Sequence, residues 1–180
     1  MVPKANITFL QLDLASFDSI IEAAKVVNSS VNRLDILMNN AGIMMTPAGT
    51  TKEGFEIQFG TNHMGHALLT KLLLPKLLST AEEPNSDVRI ITLSSMAHLW
   101  VPKGGLQLDT IHSEQKNLNG RQLYGQSKLA NILYSNERAR RYSGIRCISV
   151  HPGTVNTGLT RGPKESYPFV APIITFAQVR

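Results

Sequence analysis

Short apolar runs and amphipathic stretches alternate along this chain, in beats of roughly ten to twenty-five residues, and that alternation admits few folds. Ile7 to Leu12 reads as a short strand. Residues 16–31 then place Phe17, Ile20, Ile21, Ala24, Val27 and Val31 on one helical face, with Ser16 as the N-cap. Leu34 to Met38 is the next strand and runs into the turn Asn39-Asn40-Ala41-Gly42. A long helix is predicted from near Glu53 to Leu78. Val88 to Leu93 follows as a strand apolar enough to be covered on both faces. A loop spans 96–120, a second long helix runs from about Leu123 to Tyr142, and Ile145 to Val150 is the last clear strand. Strands and helices in that order predict an α/β fold with a parallel sheet, taken here as one domain over 1–180. Such sheets bind ligands beyond the carboxyl ends of their strands. The residues there are Asp13, the Asn39–Gly42 turn, Ser94 with Ser95, and His151-Pro152-Gly153.

Composition narrows the function. Lys and Arg total 18 against 13 Asp and Glu, and the resulting +5 is scattered. A phosphate-bearing ligand suits that balance, whereas nucleic acid would need a basic stripe. Cys147 is the single cysteine, so no internal disulfide forms. Lys4, Gln11 and Asp13 interrupt the only early apolar stretch, and no apolar run approaches the ~20 residues of a membrane span. The expectation is a cytoplasmic protein without a transmembrane segment.

Tyr124 and Lys128 lie four apart on a predicted helix, hence on one face. A phenol titrates near pH 10, and an ammonium one turn away favours the phenolate, which makes proton transfer accessible at neutral pH. Taken alone the pair is more simply a packed tyrosine and a solvated lysine. Ser95, just after an apolar strand, could hydrogen-bond a substrate oxygen, though loop capping is the plainer reading. Asn62 and Gly65 sit in mid-helix, where a glycine costs up to about 1 kcal/mol, and such rule-breaking positions attract attention. His63 and His66 lack a third partner at metal-ligand spacing and read as structural, so no metal is expected.

Together these strings resemble the short-chain dehydrogenase/reductase family. Asn40-Ala41-Gly42-Ile43-Met44, Asn62-His63-Met64-Gly65-His66, Ser94-Ser95-Met96-Ala97-His98, Tyr124-x-x-x-Lys128 with Ser127-Lys128-Leu129-Ala130-Asn131, and Val150-His151-Pro152-Gly153 occur in order. They are most similar to the retinol-dehydrogenase-like branch, whose long loop matches the interval from Ser95 to Tyr124. The resemblance runs from about residue 7 to residue 161. It implies a Rossmann-like, doubly wound parallel sheet and hydride transfer between NADP or NAD, with NADP slightly favoured, and a small alcohol or carbonyl substrate. It implies Tyr124 as general acid or base, and Lys128 as its electrostatic partner that also holds the nicotinamide ribose. Ser95 would orient the substrate oxygen, and Asn62 would hold a water linking Lys128 to solvent. Asp13 would lie near the adenine, Asn40 with Ala41 and Gly42 beside the ribose, and Val155 and Thr157 at the nicotinamide carboxamide. Relatives pair through two long helices, which correspond to 53–78 and 123–142.

The family's Thr-Gly-x-x-x-Gly-x-Gly turn, which seats a pyrophosphate on a helix N-terminus, is not in these 180 residues. The resemblance therefore implies an incomplete sheet, without counterparts of the first two strands or of the last helix and strand. Two expectations follow: an oxidoreductase retaining a Tyr-Lys-Ser-Asn tetrad, or a catalytically inactive, truncated member acting as an interaction module. With its two neighbours gone, the 7–12 strand is expected to pair directly with the 34–38 strand or to dock poorly. Apolar Tyr167 to Phe176 reads as a loop and short helix over the core, with a substrate lid or peripheral membrane contact as the alternatives.

Overall fold

A computed structural model describes residues 5–153. Three parallel strands, β1 (Ile36–Asn39), β2 (Arg89–Leu93) and β3 (Arg146–Val150), lie in chain order, as right-handed βαβ crossovers produce. The register pairs Leu37 with Ile90 and Ile90 with Cys147. Helix α1 (Phe17–Ser30) precedes β1, and its Ser16 cap accepts from the Ser19 amide. Helix α4 (Gly120–Arg141) links β2 to β3. It begins three residues before the predicted start because Asn119 and Gln122 form a reciprocal capping box. The fold is Rossmann-like.

The predicted helix over 53–78 is built in three pieces. Gly54 turns the chain at φ 83°, and Glu56 then caps the short helix α2 (Ile57–Phe59) by accepting from the amides of Gln58 and Phe59. A π turn occupies Gly60–Met64, and α3 runs over Gly65–Ala81. The π turn explains why Asn62 and Gly65 break helical rules: the wider turn redirects a backbone carbonyl and a side chain inward. Gly65 is required by contact as well, because a Cβ there would meet the Leu14 carbonyl oxygen at 2.4 Å.

The core lies on one face of the sheet. Ile20 and Ala24 of α1, Leu69, Leu73 and Leu77 of α3, and Leu37, Val88, Ile90 and Ile145 of the sheet region pack together. The other face carries Ile36, Met38 and Ile148, which are 54%, 57% and 40% exposed. Coverage of both faces, expected from the apolar β2 run, is therefore not provided by the described residues.

The strand predicted at 7–12 does not form. Residues 5–12 carry no regular structure, and Ile7 and Phe9 are 85% and 90% exposed. Direct pairing with 34–38 is likewise not adopted, since β1 pairs only with β2. Only the end of this segment is tied down, where Leu14 is wedged against Gly65 and the Ala15 carbonyl accepts from the Lys52 amide at 3.1 Å. Ahead of those contacts the segment has no neighbouring strand among the described residues, and so no ladder to stabilise it.

Candidate active site

Tyr124, Lys128 and Asn131 form one stripe of α4, at spacings of four and three, and all are at least 96% buried. The Lys128 ammonium lies 5.4 Å from the centre of the Tyr124 ring and donates to the Leu93 carbonyl at 3.1 Å. Its main-chain carbonyl accepts from the Ser94 hydroxyl at 2.9 Å, which ties the helix to the end of β2. Gly125, next to Tyr124, is needed for this approach: a Cβ there would meet the Ala97 carbonyl oxygen at 2.7 Å.

Burial sets the protonation of the pair. It draws the Lys128 ammonium down to about 8. It holds Tyr124 above the ordinary phenol value, while a hydrogen bond with the Ser95 side chain pulls the other way. The lowering contribution thus comes from Ser95 and not, as the i, i+4 spacing suggested, from Lys128. At neutral pH both groups carry their protons. Ser95 itself is only partly buried, and its hydroxyl also accepts from the Ala97 amide at 3.1 Å, starting the helical turn Met96–Trp100.

Asn62 is completely buried, and its side chain has a specific occupation. Its Oδ1 accepts from the Ile43 amide at 2.8 Å, and its Nδ2 donates to the Ile43 carbonyl at 2.9 Å and to the Ser127 hydroxyl at 3.0 Å. The side chain therefore clamps the loop after β1. The Asn62 main-chain carbonyl, presented by the π turn, takes donors from His66 Nδ1 at 3.0 Å and Asn131 Nδ2 at 3.2 Å. Gly42 sits against this clamp, since a Cβ there would lie 2.9 Å from Asn62 Oδ1 and 3.8 Å from Lys128 Nζ. His63 and His66 face different partners, Asn131 Oδ1 and the Asn62 carbonyl. Among the described residues no group of three His, Cys, Asp or Glu side chains could hold a metal ion.

The fold thus brings Asn62, Gly42, Ser95, Tyr124 and Lys128 together. Asn40 and Ala41 lie exposed just before Gly42. Asp13 stands apart in the exposed segment before α1, its Oδ1 accepting from the Ala15 amide at 2.9 Å. Val155, Thr157 and the 167–176 segment fall outside the described residues. Two buried amides beyond the predicted set complete the arrangement. Gln58 accepts from the Met45 amide at 2.7 Å and donates to the Gly120 carbonyl at 3.4 Å, joining the loop after β1 to the start of α4. Asn131 is the other, and its position seven after Tyr124, on the same stripe, is the signal that finds it.

The residues around Lys128 fit the ribose end of a nicotinamide nucleotide. Its bond to the Leu93 carbonyl leaves the ammonium with donors to spare, and Gly42 keeps the adjoining floor free of a side chain. A glycine-rich pyrophosphate turn is not part of the sequence.

Comparison with known proteins shows which family the chain is similar to. The pattern of the short chain dehydrogenase family matches residues 2–104. Over 163 residues the chain is 44% identical to an uncharacterized oxidoreductase of Schizosaccharomyces pombe, covering 89% of this chain and 48% of that protein. It is 45% identical over 152 residues to human retinol dehydrogenase 13, covering 83% of this chain and 44% of that one. The chain spans about half the length of the curated relatives it matches. The crystal structure of NADPH-bound carbonyl reductase from chicken fatty liver superimposes with a TM-score of 0.62 at 28% identity, over 83% of this chain and 59% of that one.

Proposed function

The chain belongs to the short-chain dehydrogenase family, and on that premise we propose that it carries the proton-transfer half of an NAD(P)-dependent oxidoreductase interconverting an alcohol and a carbonyl. The observation that carries this reading is the buried Tyr124–Lys128 pair on one face of α4, with the Ser95 side chain near enough to draw the phenol's pKa down. A bound nicotinamide cofactor supplies or accepts the hydride. The remaining work falls to this chain's own side chains. Ser95 orients the substrate oxygen. Tyr124, protonated at neutral pH, gives its hydroxyl proton to that oxygen during reduction and takes it back during oxidation. Lys128 holds the nicotinamide ribose through its spare donors and stabilises the phenolate left on Tyr124. Asn62 acts by fixing the loop that contains Gly42, so that the ribose floor stays in register with Lys128. Asn40 and Ala41 continue that floor, and Asp13 is assigned to the adenine end.

NADP is the favoured cofactor, in keeping with the NADPH-bound carbonyl reductase neighbour. The retinol dehydrogenase relative supports a small apolar alcohol, aldehyde or ketone as substrate. Pairing through α3 and α4 is the corresponding proposal for self-association. Among the described residues no helix is long and apolar enough to cross a membrane.

The test is reduction of a panel of small aldehydes and ketones with NADPH, followed at the nicotinamide absorbance. Tyr124→Phe should lower the rate by about 10²–10⁴-fold, the usual worth of a positioned acid, while cofactor affinity stays unchanged. Undiminished turnover in that variant contradicts the assignment.

A further inference from the structure

Asn131 is 1% exposed and lies one turn beyond Lys128 on α4. Its amide nitrogen donates to two main-chain carbonyls from separate elements, Leu93 at the end of β2 at 3.0 Å and Asn62 in the π turn at 3.2 Å. Because both acceptors are carbonyls, only the NH₂ end of the amide can face them, and the side-chain orientation is fixed. Oδ1 is then left facing His63 Nδ1 at 3.0 Å, which requires the imidazole proton to sit on Nδ1. The His63 ring is held edge-on against Tyr134, with centroids 5.4 Å apart, and against Phe59 at 5.0 Å.

The Leu93 carbonyl is shared. Lys128 Nζ donates to it at 3.1 Å alongside Asn131. A carbonyl oxygen offers two lone pairs, so the amide takes one and the ammonium the other. We propose that Asn131 is a positioning residue for Lys128: by anchoring the Leu93 carbonyl and occupying one of its lone pairs, it fixes where the ammonium docks and leaves the other ammonium protons directed at the ribose and Tyr124 side. The proposal rests on the role given to Lys128 above. His63 is the outer support, since its Nδ1–H keeps the Asn131 amide from turning.

A purely structural stitch between β2, the π turn and α4 would make a different prediction. Its loss would lower stability and leave the protonation of Lys128 where it was. The titratable groups facing the ammonium are Tyr124 on the same helix and His66 on α3, which the ammonium itself helps hold neutral. Burial is what keeps Lys128 near 8. Without the amide, the Leu93 carbonyl turns wholly to the ammonium and favours its charged form.

The experiment is an NMR titration of the full chain, free of cofactor and carrying isotope-labelled lysine, with the Lys128 signal identified by its loss in Lys128→Arg. Asn131→Leu keeps the branched shape and removes the amide. Its expected result is an upward shift of the Lys128 midpoint by about one pH unit, a tenfold change in protonation equilibrium. Thr80→Val removes the acceptor of the Leu34 amide at a fully buried position far from the site, and should leave the midpoint unchanged. His63→Phe keeps the ring packing, loses the Nδ1–H, and should shift the midpoint in the same direction by less. If Asn131→Leu does not fold, His63→Phe decides. An unmoved or lowered Lys128 midpoint in the folded variant overturns the proposal. Because no cofactor is present, an upward shift stands even if nicotinamide nucleotides fail to bind. Cofactor binding without a shift would retain the proposed function and remove Asn131 from it.

Discussion

The helix-covered face of the sheet and the segment leading into α1 are built from the same kinds of apolar residue, yet only the first is organised. On the covered face, Leu37 and Ile90 are buried and cross-linked above by polar stitches from Asn62, Ser94, Lys128 and Asn131. In the leading segment, Ile7 and Phe9 alternate with polar residues as a strand should and nevertheless stand almost wholly in solvent. Alternation offers a strand; a neighbouring ladder is what makes one. The site therefore derives its rigidity from side-chain amides satisfying backbone groups at loop ends, a resource that residues 5–12 do not have.

The sharpest way to break that contrast is to remove the clamp at Asn62. Asn62→Leu leaves the Ile43 amide and the Ile43 carbonyl without their partner in a buried setting, while the Ser127 hydroxyl keeps its bond to the Tyr124 carbonyl. At about 1–3 kcal/mol for each of the two unsatisfied groups, with some relaxation, the loss should be about 3–4 kcal/mol, read as a lower urea midpoint at unchanged m-value. A loss under about 1 kcal/mol would show that the loop after β1 is held by other means.

Acid probes the same side of the molecule. Burial is the chief reason that His66 falls from 6.5 to about 4, with the Lys128 charge adding to it and the Asn62 carbonyl opposing it. The folded pKa is the lower one, so between about 6.5 and 4 the unfolded chain binds more protons. Stability should be intact above that window and fall by about 3 kcal/mol as pH drops through it, at 1.36 kcal/mol per unit. Urea unfolding at pH 7 and pH 4.5, compared with His66→Gln, isolates this share. Equal pH slopes in the two proteins would refute it.

The weakest effect belongs to the other region. Phe9→Ser should alter stability by less than about 0.5 kcal/mol, because a ring 90% exposed has little burial to lose. A larger loss in thermal unfolding would mean that the leading segment is packed after all.

Much of this contrast could be read along the sequence, and the remainder has identifiable causes. Helix α1, the three strands and the face shared by Tyr124 and Lys128 follow from periodicity, because each repeats its pattern over several residues. The π turn could only be sensed through the oddness of Asn62 and Gly65, since local propensity does not encode a five-residue turn. The fate of residues 7–12 depended on whether a neighbouring strand offers a ladder, which no local pattern reveals. The direction of the Tyr124 shift was likewise beyond spacing: i, i+4 geometry offers a charge, and only the packed structure shows that burial dominates and that the opposing pull comes from Ser95.

The most direct test of the account is a nicotinamide-fluorescence titration of the folded chain with NADPH and NADH, carried to millimolar concentration and repeated with Lys128→Met. The account predicts saturable binding that weakens about tenfold or more when the ammonium is removed. Binding that is indifferent to Lys128→Met, or no binding by the folded chain, would contradict it.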